Sequence, residues 1–141
     1  MTTTRFSRPL TDADILLRVA IVAMTLATAY IHLTLGGLLF TLNAIGYAVG
    51  AAAMVAPLAV VVRYRWLVRI GLAGYAAATI AGWAIDPLFY STAYVAKAIE
   101  VGLIALLILD FARRDGNPID RIRDGLRGLR TRPQGPASGR A

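Results

Sequence analysis

Four side chains able to do chemistry stand inside otherwise apolar stretches of this chain: His32, its only histidine, Asn43, Lys97 and Glu100. Lys97 and Glu100 are three residues apart, so on a helix they share a face and can form an ion pair. A carboxylate of this kind can titrate with an imidazole as its partner, and histidine changes charge near neutral pH. The chemistry on offer is ligand binding or proton uptake. Each residue also has a structural role open to it. Asn43 can bridge two helices, His32 can be a bonded interior histidine, and Lys97 can reach outward to headgroups. Glu100 is too short to do the same.

Other chemistries are poorly supplied. One imidazole and no cysteine cannot assemble a zinc or haem site, so no metal and no cofactor is expected. Paired carboxylates, a G-x-S-x-G elbow and a phosphate-cradling glycine loop are all missing from the sequence, and the chain is not expected to be an enzyme. The net charge of +7 could suggest nucleic acid. The arginines flank apolar segments, however, so the bilayer and its anionic inner-leaflet lipids are the expected partners, and nucleic acid is not.

The elements that must carry these residues read as membrane helices. Of 141 residues, 57% are hydrophobic, above the ~45–50% of ordinary soluble domains. From Ile15 to Ala112 the only charges are Arg18, Arg63, Arg65, Arg69, Asp86, Lys97, Glu100 and Asp110. Apolar runs long enough to cross a bilayer fall at about 13–35, 38–62, 66–85 and 92–112. The first starts on Thr11 as cap with Asp14 three residues on, and Leu10 placed to staple against Ile15. Asp12, Asp14 and Arg18 interrupt what could otherwise pass for a signal peptide, so the first helix is expected to stay uncleaved. Gly36-Gly37 ends it. Pro57 should kink or end the second helix, and Ser91 or Thr92 should cap the fourth. Loops this short force antiparallel neighbours. The expected fold is all-α: a four-transmembrane-helix up-down bundle over 13–112, with tails at 1–12 and 113–141.

Basic residues set the expected orientation. Arg5, Arg8 and Arg18, then "RYRWLVR", then Arg113 and Arg114 mark three segments as cytoplasmic, while "GG" and "DPLFYST" carry no positive charge. The chain is thus expected in a bacterial plasma membrane with both termini on its cytoplasmic side. Tyr64 and Trp66 fall at the inner boundary and Trp83, Phe89, Tyr90 and Tyr94 at the outer one, as an aromatic belt requires. Arg63, Arg65, Arg69, Arg113 and Arg114 are expected to contact anionic lipid. So are Arg121, Arg123, Arg127 and Arg130, on a short basic helix that lies along the leaflet or stays solvated as a topology signal. The last ten residues read as disordered. Gly46 and Gly50 in the second helix, and Gly74, Ala78 and Gly82 in the third, are the small-residue stripes expected at helix contacts.

At ~1.5 Å per residue, His32, Asn43, Lys97 and Glu100 all fall in the outer half of the membrane. Nothing comparable is expected in the inner half, where Thr25, Thr28 and Thr79 are the mildest polar groups. "IHL", "LFTLN", "GYAAATIAGW" and "KAIEVGLIALL", spread over most of Ile15 to Leu109, resemble a group of small four-span membrane proteins of actinobacteria and related bacteria. That resemblance implies the histidine and the carboxylate as recurrent features and supplies no activity. The expected function is a non-catalytic accessory or interaction subunit, as a homo-oligomer or within a larger membrane complex. The alternative is a small proton-coupled transporter or ligand-binding protein using the outer cluster.

Overall fold

The computed structural model describes residues 11–87 and 89–114, with Gly116, Asp120, Arg123 and Arg127 beyond them. Among the described residues every regular element is helical: α1 (Asp12–Leu35), α2 (Leu38–Val55), α3 (Ala59–Arg63), α4 (Arg65–Ile85) and α5 (Ser91–Arg114). α1 opens on a reciprocal capping box. The Asp14 N–H donates to Thr11 Oγ1 at 3.3 Å and the Thr11 N–H to Asp14 Oδ2 at 3.1 Å, which satisfies two N–H groups that the helix itself leaves bare. Leu10, Arg5 and Arg8 lie outside the described residues. So does most of the expected tail helix, including Arg121 and Arg130; Asp120, Arg123 and Arg127 are helical and exposed.

The first two turns that fold the chain back on itself form for different reasons. Gly36 and Gly37 have φ of +73° and +83°, a region that side chains with a Cβ avoid, and two residues suffice to lay α2 beside α1. The second reversal is made by Pro57. The stretch expected to run as one helix over 38–62 stops at Val55 and resumes only as α3. Ala56 is held extended with ψ 128°, because the proline ring excludes the helical region for the residue before it. Arg65 then donates to the Ala56 carbonyl at 2.8 Å, closing the frayed end of α2. α5 begins at Ser91, and its first turn is secured by the Tyr90 carbonyl, which accepts from Ala93 and Tyr94.

α1, α2 and α4 are long and apolar enough to cross a membrane. Only 28%, 22% and 17% of their most apolar windows are buried within the protein, so most of that apolar surface faces outward. Leu38, Ile85 and Phe89 are each more than three-quarters exposed. Water does not tolerate such a surface on a soluble monomer; acyl chains do. α5 matches α1 in length, at 24 residues.

α1 packs between α2 and α5, and α4 packs between α5 and α2. Ile21, Tyr47, Met54, Leu72, Ala76, Leu103 and Leu107 form the core between them. At the α2–α4 contact a Cβ on Gly46 would collide with the Tyr75 ring, and one on Gly50 would meet Leu72 Cδ1. The stripe expected on α4 divides differently: Gly74 faces open space, while Ala78 and Gly82 line a cavity described below. Gly102, absent from the expected contacts, sits against Met24 where α5 meets α1. Accordingly, Gly46→Val should cost about 1–3 kcal/mol through overpacking. Gly74→Ala should be neutral or stabilise by up to ~1 kcal/mol, as expected for a helix-interior glycine. Thermal unfolding of the two variants in detergent, compared with the parent, checks both values.

Candidate functional site

Glu100 is fully buried, at 0% exposure, and each of the four long helices sends it a polar group or a neighbour of one. From α5 itself, Lys97 Nζ donates to Oε2 at 2.7 Å. From α2, the Tyr47 hydroxyl donates to Oε1 at 3.0 Å. From α1, His32 Nε2 lies 3.6 Å from Oε1. α4 contributes Thr79, whose carbonyl accepts from Lys97 at 3.2 Å and whose hydroxyl touches that of Tyr47 at 2.9 Å. The periodicity of each helix explains the convergence. His32 sits one turn past Thr28 on the buried face of α1, and Glu100 repeats with Ala93, Ala96, Leu103 and Leu107 along the buried face of α5.

Hydrogen counting shows what this arrangement lacks. His32 Nδ1 lies 2.9 Å from the Thr28 carbonyl, which can only accept, so Nδ1 carries a hydrogen. In the neutral ring Nε2 is then a bare acceptor pointed at a carboxylate oxygen. Tyr47 and Thr79 own one hydroxyl hydrogen each, yet three contacts call for one: Tyr47 to Glu100, Tyr47 to Thr79, and Thr79 to the Ala76 carbonyl at 2.8 Å. A proton placed between His32 Nε2 and Glu100 Oε1 makes the first of these encounters attractive. One carried on Oε1 and aimed at the Tyr47 oxygen instead frees Tyr47 to turn its hydrogen toward Thr79. Four contacts thus share two hydroxyl hydrogens.

Above the cluster a cavity of about 360 Å³ opens at the end of the molecule marked by Gly36 and Gly37. Its wall includes His32 and Lys97 on one side and Phe40, Tyr75, Trp83 and Tyr90 around them. Asn43 lines this cavity but is not hydrogen-bonded to the other three expected site residues. Its Oδ1 accepts from the Tyr75 hydroxyl at 3.0 Å, so it joins α2 to α4. Lys97 is not turned outward; 14% of its side chain is exposed and its ammonium is held by Glu100 and Thr79. Sequence reasoning missed Tyr47 and Thr79. The available signal was the spacing from Asn43 to Tyr47, one helical turn along the same face.

A second polar layer corrects the expectation that the other half of the molecule holds none. Arg69 and Asp110, 4% and 0% exposed, are bonded directly. Asp110 also accepts from Arg114 at 2.9 Å, and Asp14 accepts from Arg113 at 3.3 Å. Arg69 was expected to contact lipid and is instead an interior residue of α4. Arg113 and Arg114 tie the end of α5 to the start of α1. Arg63 stacks on the Tyr64 ring at 5.5 Å, and Arg65 caps α2. Thr79, read as an inner-half residue, belongs to the Glu100 cluster.

Removing one partner of a buried pair strands the other charge, at a typical cost of ~3–5 kcal/mol, whereas an apolar replacement of both is tolerated far better. Asp110→Ala should therefore destabilise the protein strongly, and Arg69→Met combined with Asp110→Leu should recover part of that loss. Equilibrium unfolding in a denaturing-detergent titration measures the difference. Comparison of the chain with protein-family models, with curated proteins and with solved structures finds no match to any of them.

Proposed function

We propose that this chain is a four-span membrane protein whose outer half binds a small organic anion together with a proton. In this reading α5 is the fourth span of an up-down bundle. The arginine-bearing end, with Arg65, Arg69, Arg113 and Arg114, faces the cytoplasm of a bacterial cell with both termini, and the glycine-turn end faces out. The outward apolar surface of the long helices supports the membrane setting, and the distribution of basic residues supports the orientation.

The observation that carries the functional reading is the fully buried Glu100 holding Lys97 at 2.7 Å beneath a 360 Å³ cavity. While Glu100 is ionised, the ammonium is satisfied by the carboxylate. A proton taken up by the His32–Glu100 pair weakens that hold. Lys97, still anchored on the Thr79 carbonyl, then presents its charge to the cavity it lines, where a carboxylate or similar anion restores neutrality. Phe40, Tyr75, Trp83 and Tyr90 favour a ligand with an apolar or aromatic body. An ionisable group buried among membrane helices and facing a cavity is by default a candidate for a functional site. The reaction is binding, with no bond made or broken.

Benzoate is a suitable probe. Calorimetry on the detergent-solubilised protein should show affinity rising about tenfold as the pH falls through the histidine range, from roughly 8 to 5, with proton uptake read from the buffer dependence of the heat. Glu100→Gln should bind with neither the pH dependence nor the uptake, and Lys97→Met should lose binding. Unchanged behaviour of Glu100→Gln and His32→Ala across that range would overturn the reading, and a co-purifying protein subunit would favour an accessory role instead. The sequence contains no cysteine, so orientation is tested with single cysteines. One at Tyr64 should react with impermeant maleimide only from the cytoplasmic side, and one at Phe89 only from outside.

A further inference from the structure

Arg18 is the charged residue that the two polar layers leave out. It lies about a turn and a half into α1, its Nε is buried without a hydrogen-bond partner, and no ion pair among the described residues reaches it. The charges that act on it most are Arg114, Arg65 and Arg69, all of its own sign, and the carboxylate of Asp110. Asp110 is already shared between Arg69 and Arg114. A guanidinium so placed in hydrocarbon needs an anion from elsewhere.

The surface beside it is shaped for one. A trough of about 360 Å³ runs along α1, lined by Ile15, Val19, Val22 and Leu26, with Val55 of α2 beside them; its polar members are Arg18, Arg114 and Asp14, whose carboxylate is already engaged by Arg113 and Arg114. Ile15, Val19, Val22 and Leu26 follow one face of the helix, and at 1.5 Å per residue the stripe is about 16 Å long. That is close to half of the ~30 Å hydrocarbon core, the depth of one leaflet. A free anion would use the arginines and leave the trough empty, whereas a neutral lipid would use the trough and leave the arginines unpaired.

We infer that this trough holds one anionic phospholipid of the inner leaflet, its phosphodiester on Arg18 and Arg114 and an acyl chain along Ile15 to Leu26. The inference rests on the membrane setting proposed above but not on the anion site near Glu100. It differs from diffuse attraction to the basic tail in requiring a particular residue and a particular groove.

The test reconstitutes the full-length protein in nanodiscs of equal phosphatidylglycerol and phosphatidylcholine and counts retained lipids by native mass spectrometry. The parent should keep one phosphatidylglycerol in preference to phosphatidylcholine by roughly fivefold or more, the contribution of one arginine at an anionic surface. Arg18→Met should abolish the preference. Val22→Trp, which fills the trough and leaves every arginine in place, should do the same, while Arg63→Gln should not. Equal retention of the two lipids by the parent, or a preference that survives both Arg18→Met and Val22→Trp, overturns the inference. So does inorganic phosphate in lipid-free detergent if it raises the melting temperature as much as phosphatidylglycerol does. Failure of the protein to enter bilayers at all would instead refute the membrane reading on which this inference stands.

Discussion

A carboxylate in a dry helical interior must be neutralised and hydrogen-bonded, or it will not stay there. Glu100 imposes that condition on the whole molecule. Its two oxygens take donors from α2 and α5 while His32 of α1 closes over one of them, and the ammonium that neutralises it is fastened to α4. Helix contacts that apolar packing alone would leave free to slide are therefore fixed in register, since a shift of one residue along α2 would carry Tyr47 away from both Glu100 and Thr79. In a bilayer, where hydrophobic burial contributes little between helices, such polar fixation together with close backbone approach at Gly46 and Gly50 defines the arrangement.

The second layer solves the same problem ten residues along α5, about 15 Å away. Between the layers the interior is mostly apolar: Met54, Leu72, Leu103 and Leu107 fill it, with the buried hydroxyls of Thr25 and Thr28 on the α1 side. A proton arriving at the His32–Glu100 pair meets this apolar stretch before Asp110. The geometry thus describes a cluster that opens through its cavity toward one end. Passage to the other side would require the core itself to open.

How much of this could be read from the sequence depended on whether a feature lives on one helix or between two. The capping box of α1, the glycine turn and the effect of Pro57 are local, and their residues declare them. The Lys97–Glu100 pair is local as well, because i and i+3 share a face. Which side of a helix meets which neighbour is not local. Asn43 has the expected depth, yet its amide goes to Tyr75, and it is Tyr47, one turn further along α2, that reaches Glu100. Arg69 looked like the last arginine of a positively charged loop; it lies one turn inside α4, and only the partner helix shows that Asp110 awaits it there. Tyrosine and threonine in apolar helices are too common to stand out, which is why Tyr47 and Thr79 stayed silent.

The two buried networks differ in a way that bears on their roles. Arg69–Asp110 joins α4 to α5, and Asp14 with Arg113 joins α1 to α5, so each of these ion pairs is itself a tie between helices. Opening them separates structural elements. Lys97 and Glu100 belong to the same helix, and the ties across that layer are made by neutral groups, the Tyr47 hydroxyl and the Thr79 carbonyl. Loosening the Lys97–Glu100 pair can therefore change the charge presented to the cavity without releasing any helix from its neighbours. The ion pairs that join one helix to another thus lie at one end, and the pair within a single helix lies beneath the cavity at the other, beside His32.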